Sequence, residues 1–136
     1  MKTDISNIIQ KSGLNFLKNI EFEEITKERY FQKEKINLGN SLKQFYVILA
    51  PNIESPIHTH KGQNIEETHL LLYGSGKFII YDLHNNPEHE IVLFKGQFHK
   101  IFSAPEFTPL HKYVAGSEGS ITLALEKNYL HSSRKE

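Results

Sequence analysis

The chain has 136 residues, a length that suits one domain around one core. Its 16 Lys plus Arg balance its 16 Asp plus Glu, so no basic surplus points to nucleic acid or an anionic membrane surface. The absence of Cys removes disulfides, thiolate nucleophiles and sulfur-ligated metal sites, leaving nitrogen and oxygen as the only donors for any metal. Apolar runs such as FYVILA (45–50) are far too short to span a bilayer, and MKTDISNIIQ (1–10) lacks the apolar stretch of a secretory signal. A cytoplasmic location is expected, with neither a nucleic acid nor a membrane as partner.

In chain order, Ile5, Ile8, Ile9, Phe16 and Leu17 fall on one helical face, with Thr3 or Asp4 as N-cap and Gly13 ending or weakening the helix. IEFEEI (20–25) alternates apolar and acidic residues as a strand does. The stretch 27–40 is highly charged and ends in a turn at Gly39-Asn40. From residue 43 the pattern becomes short strands separated by turn residues: 43–50, 68–74, 77–83, 90–94, 99–104, 111–115 and 120–126. Seven or eight strands at this spacing predict an all-β sandwich or barrel. Residues 1–26 are expected to pack a helix and first strand on a barrel formed by 27–130, followed by a polar tail, HSSRKE, at 131–136.

The chemistry-bearing segment is PIHTHKGQNIEETHLLLYGSG (56–76), in a chain that holds eight histidines. In an extended segment His58 and His60 share a side. If the chain returns as a neighbouring strand, Glu67, His69 and Leu71 share one face, and Thr68, Leu70 and Leu72 the other. Two imidazoles and a carboxylate facing one cavity can hold a divalent ion. A further ligand must come from a distant segment, and His111, which opens its own strand, is the best placed. Glu66 is the alternative to Glu67, and His99 the alternative to His111. His69 is a candidate second-layer group or general base, and Tyr113, on the face of His111, a candidate phenol in the pocket; both are also compatible with simple packing. His84 and His89 flank a turn and are expected to be solvated.

The spacing His58-x-His60, six residues, Glu67, six residues, Gly74 resembles the first motif of the cupins, with the loop before the Glu about two residues longer than in many of them. SAPEFTPLH (103–111) supplies the Pro105 and His111 of the second motif but lacks its Gly and the Asn that follows, and is one residue longer. Residues 27 to 130 are similar to the small WbuC-type cupin metalloproteins of bacterial O-antigen clusters. The similarity is carried by EKINLGNSLKQFYVILAPNIESPIHTHK, EETHLLLYGSGKFIIYDLHNN and HKYVAGSEGSITLALEKNYL.

The resemblance implies a cupin-type antiparallel β-barrel or jelly roll with a short N-terminal α-helix. It also implies one divalent metal (Fe, Mn, Ni, Co or Zn) on His58, His60, Glu67 and His111. Such an N/O site suits Lewis-acid chemistry on a sugar or nucleotide-sugar, with His69 or Tyr113 moving a proton. An Fe(II) oxygenase and a non-catalytic sugar-binding module are the alternatives. A small sugar derivative is the expected substrate, and a homodimer the expected assembly, because a barrel of many short strands leaves exposed edges.

Overall fold

A computed structural model describes residues 5–57, 65–82, 84–102 and 110–128. Among these residues, helix α1 (Ile5–Ser12) is followed by a 3-10 turn (Asn15–Asn19) and eight strands. These are β1 (Phe22–Thr26), β2 (Arg29–Gln32), β3 (Ile36–Gly39), β4 (Leu42–Leu49), β5 (Ile65–Tyr81), β6 (Pro87–Val92), β7 (Phe98–Phe102) and β8 (His111–Asn128). All strand pairs are antiparallel, in the order β1-β2-β4-β8-β5-β6, with β3 on β4 and β7 on β5. The all-β class with one short N-terminal helix is as expected. No helix among the described residues is long and apolar enough to cross a membrane.

The helix stops where Gly13 takes φ +75, and the residues expected to cap its start lie outside the described chain. Its Ile8 and Ile9, with Leu17 of the 3-10 turn, pack on Tyr30, Ile48, Ala50 and Ile121. A second cluster, with Phe45, Val47, Leu49, Leu71, Phe78, Ile80 and Ala124, fills the opposite side of the sheet. Strand β4 therefore buries alternate residues in both clusters, which explains why FYVILA is a continuous apolar run instead of an alternating one.

Two expectations are corrected. The segment 68–74 and residues 77–81 of the segment 77–83 form one strand, β5, as 111–115 and 120–126 form β8. The glycines read as chain reversals bend these strands without ending their pairing, which runs from Ile65↔Asn128 to Ile80↔His111 with register shifts at Leu71/Tyr73 and Gly74/Gly76. Bulges of this kind let a long strand turn a corner of a rolled sheet. The charged stretch 27–40 holds two strands, β2 and β3. In β2 the alternation was present, with Tyr30 and Gln32 buried on one face and Arg29 and Phe31 on the other, but charge obscured it.

The corner requires glycine. Gly74 has φ +79, and a Cβ there would run into the Gly119 carbonyl; a Cβ on Gly76 would occupy the Tyr113 hydroxyl position. Gly74→Ala should therefore lower stability by about 2–4 kcal/mol, the sum of left-handed strain and overpacking. A urea-unfolding midpoint unchanged from wild type would show that the corner is not closely packed.

Candidate functional site: a polar cavity inside the barrel

The inward faces of β2, β4, β8 and β5 meet in cross-strand rows. Phe31, Val47, Thr122 and Leu71 form one row, and Phe45, Ala124 and His69 another, with Glu67 directly opposite Glu126. Ala124 and Thr122, on the central strand, are small. They leave room between the larger side chains of the strands on either side. The resulting cavity is ≈ 210 Å³, with apolar walls from Ile25, Phe31, Phe45, Val47, Leu49 and Phe78. Its polar groups come from Arg29, Lys35, Ser55, Glu67, His69, Tyr113, Thr122 and Glu126.

Alternation on β5 turns Glu67 and His69 inward, both buried, and turns Glu66 outward, where it pairs with Lys100 at 2.8 Å. The two inward groups meet: His69 Nε2 lies 3.0 Å from Glu67 Oε1. An ionised carboxylate only accepts hydrogen bonds, so Nε2 carries the proton in that state and Nδ1 presents its lone pair. Nδ1 is buried with no hydrogen-bond partner among the described residues. The imidazole is held in place by the Phe78 ring, 4.9 Å away between centroids. The same ring contacts Tyr113 at 4.8 Å and His111 at 6.4 Å.

His111 is fully buried at the start of β8, opposite Ile80, and is not among the cavity-lining residues. His58 and His60 lie outside the described residues. Ser55, three residues before His58 in sequence, lines the cavity and is fixed to β8 by Ser55 N–H donating to the Tyr113 carbonyl and Tyr113 N–H donating to Ser55 Oγ, each at 2.8 Å. Among the described residues no three His, Asp or Glu side chains converge as a metal site. Glu67 and His69 nonetheless suit a divalent ion in donor type, as an anionic oxygen and a buried imidazole nitrogen. His99 pairs with His69 across β7 and β5, but its Nε2 accepts the Phe94 N–H at 3.1 Å, which occupies that lone pair. His84 and His89 are on the surface.

Tyr113 is 7% exposed and its hydroxyl is 3.1 Å from Ser120 Oγ. Burial pushes its phenol up to about 12, the Ser120 hydrogen bond working in the opposite direction. The group stays protonated at neutral pH, and its O–H donates to Ser120 Oγ. The cavity residues that sequence reasoning missed are Arg29, Lys35, Ser55, Thr122 and Glu126. Arg29 carried a signal, its alternation with Phe31 on β2, whereas Lys35 sits in a polar turn with none.

No family model matches the chain, and no curated protein matches it in sequence. Solved structures do share its fold. It is similar to KdgF from Halomonas sp. (14% identity, TM-score 0.60, over 80% of this chain and 86% of that one). It is also similar to an RmlC-like cupin from Shewanella frigidimarina (16%, 0.56, over 79% and 83%). The capsular polysaccharide assembling protein CapF from Staphylococcus aureus matches at 14% and 0.62, over 79% of this chain but 30% of that longer one. The chain is an all-β protein with the cupin fold.

The raised phenol predicts an alkaline weak point. In the unfolded chain a tyrosine ionises near pH 10, so Tyr113 costs nothing below that pH. As pH rises from about 10 towards about 12, the unfolded state loses the proton first and stability falls, by about 1.4 kcal/mol per pH unit. Unfolding midpoints at pH 8, 10 and 11 should fall more steeply for wild type than for Tyr113→Phe. Parallel slopes would mean that the phenol ionises freely in the folded barrel.

Proposed function

We propose that the protein is a metal-binding cupin that acts on a sugar or nucleotide-sugar by isomerase- or epimerase-type proton transfer, in surface-polysaccharide synthesis. The observation that carries this reading is the inward Glu67–His69 pair in the cavity lining of a cupin-fold barrel, with His69 Nδ1 buried and without a hydrogen-bond partner among the described residues. The ion would be held by His58, His60, Glu67 and His111. Once bound, it would supply Lewis-acid polarisation of a carbonyl or hydroxyl of the substrate.

The chain's own residues carry the proton. Glu67 orients His69 through its Oε1, 3.0 Å from Nε2. With its Nε2–H held by Glu67, His69 offers Nδ1 as the general base. Tyr113, whose phenol stays protonated and donates its one O–H to Ser120 Oγ, is a fixed polar group of the cavity lining. The apolar walls exclude water and strengthen each polar contact inside them. The likeness to CapF, whose name refers to capsular polysaccharide assembly, supports the polysaccharide context. A homodimer belongs to the proposal: among the described residues β6 is an edge strand, and Val92 at its end, Phe94 just after it and Phe98 at the start of β7 are exposed apolar side chains.

Elemental analysis of purified protein should find about one divalent metal per chain, and His58→Ala/His60→Ala should lose it. Undiminished metal in the double variant would rule the site out. In deuterated water, a nucleotide-sugar should exchange a carbon-bound hydrogen with wild type, and about 100-fold more slowly with His69→Gln. Oxygen consumption by the Fe(II)-loaded protein would point to an oxygenase instead, and tight sugar binding with neither signal to a binding module.

A further inference from the structure

Two cations reach the cavity, and the chain treats them differently. Lys35 lies over the Phe45 ring, 4.3 Å from Nζ to the centroid, and pairs with Glu126 at 3.5 Å. Arg29 lies over the Phe31 ring, 4.7 Å from its guanidinium carbon, and its side chain makes no hydrogen bond or ion pair among the described residues. The rings of Phe31 and Phe45 contact each other at 5.5 Å, so each cation lies on one ring of a shared aromatic wall. Glu67, the carboxylate whose field acts on Arg29, is within hydrogen-bond reach of His69 instead.

A long arginine side chain on a surface strand normally carries its head to water. Here the planar fork is half-buried on the inward face of β2, in register with Leu49, and burial lowers its pKa although Glu67 works against that shift. A ring face compensates a guanidinium only in part and leaves its five N–H donors unused. Such a fork matches the two oxygens of a carboxylate or phosphate, and in a water-poor cavity the contact is stronger than at the surface. The volume narrows the ligand further. At ≈ 210 Å³ the cavity is below the roughly 300–1,000 Å³ of pockets that enclose drug-sized ligands.

We propose that Arg29 is the anion receptor of this cavity, and that the ligand is a molecule of monosaccharide size bearing a carboxylate or phosphate. The inference rests on reading the cavity as the substrate pocket, and it replaces the broad sugar class with an acidic one. The bulk of a nucleotide, where there is one, stays outside.

Calorimetric titration of the whole chain with D-glucose, D-glucuronate, D-glucose 6-phosphate, inorganic phosphate and acetate tests it, on wild type, Arg29→Met and Arg29→Lys. At least one anionic sugar should bind about 10-fold more tightly than glucose. Arg29→Met should abolish that preference, and Arg29→Lys should retain part of it. Glucuronate against glucose 6-phosphate tells a carboxylate ligand from a phosphate one. Glucose bound as well as its anionic partners, or a preference that survives in Arg29→Met, overturns the anion receptor and leaves the sugar reading standing. Arg29-dependent binding of phosphate or acetate with no sugar bound supports the receptor and removes the sugar. Binding of no probe overturns both. Loss of the preference with a large drop in melting temperature in Arg29→Met is decided by Arg29→Lys: a folded Lys variant with no preference for anions, and no binding deficit beyond its stability loss, overturns the proposal.

Discussion

The pairing of β5 with β8 is the constraint on which the rest depends. Both strands are long, 17 and 18 residues, and they stay paired around a corner instead of separating at it. Because they stay paired, inward residues on the two sides of the bend come face to face. His69 and Phe78 are nine positions apart on one strand, yet their rings touch. Phe78 and Tyr113 meet as cross-strand partners on the far side of the same bend. A reversal at Gly74-Ser75-Gly76, in place of a bend, would have put these groups in separate hairpins.

The bend also couples the cavity to stability. Gly76 leaves space for the Tyr113 hydroxyl, that hydroxyl is bound to Ser120, and Ser120 lies opposite Gly74 in the ladder. Tyr113 N–H in turn holds Ser55, the last residue before the His-x-His stretch that is tied to β8 through both its backbone and its hydroxyl. One hydrogen-bonded relay therefore fixes the corner of the barrel, one wall of the cavity, and the approach of the histidine segment. Few hydrogen bonds are involved, but each is buried, where an unmade one costs about 1–3 kcal/mol.

How much of this was legible in the sequence differs by element. The alternation of Glu67, Thr68, His69, Leu70 and Leu71 was readable because period two survives in a half-buried strand, and the structure has Glu66 and Glu67 on opposite faces as that period requires. Continuity across Gly74 was not readable, since a glycine pair in sequence signals a turn and a bulge alike. Strand β2 was hidden because its inward residues include Arg29, and charge is a poor marker of an interior position; β3 is exposed along its whole length and has no buried face to read. The role of Ala124 and Thr122 was also beyond reach: a hollow is made by what small residues omit, and only the register shows what lies opposite them. The pairing of Lys35 with Glu126, 91 positions apart, carries no local signal either.

The cavity's charges show where folding and function pull apart. A core built for stability alone would place aliphatic groups at these rows, since buried ion pairs are often no better than well-packed apolar side chains. This barrel instead lines its cavity with two carboxylates, an imidazole, the half-buried Arg29 and the exposed Lys35, and compensates them unequally. Glu126 has Lys35 and Glu67 has His69, each within direct reach. Arg29 has an aromatic face and a carboxylate whose attraction acts across a gap. Unequal compensation of this kind is expected where a site is preorganised for a ligand, because the donors are already desolvated and oriented before it arrives. The aromatic wall between Arg29 and Lys35 serves the same end. Each ring covers one face of its cation without offering a hydrogen-bond acceptor, so Lys35 turns to Glu126 while the Arg29 fork has no acceptor among the described residues.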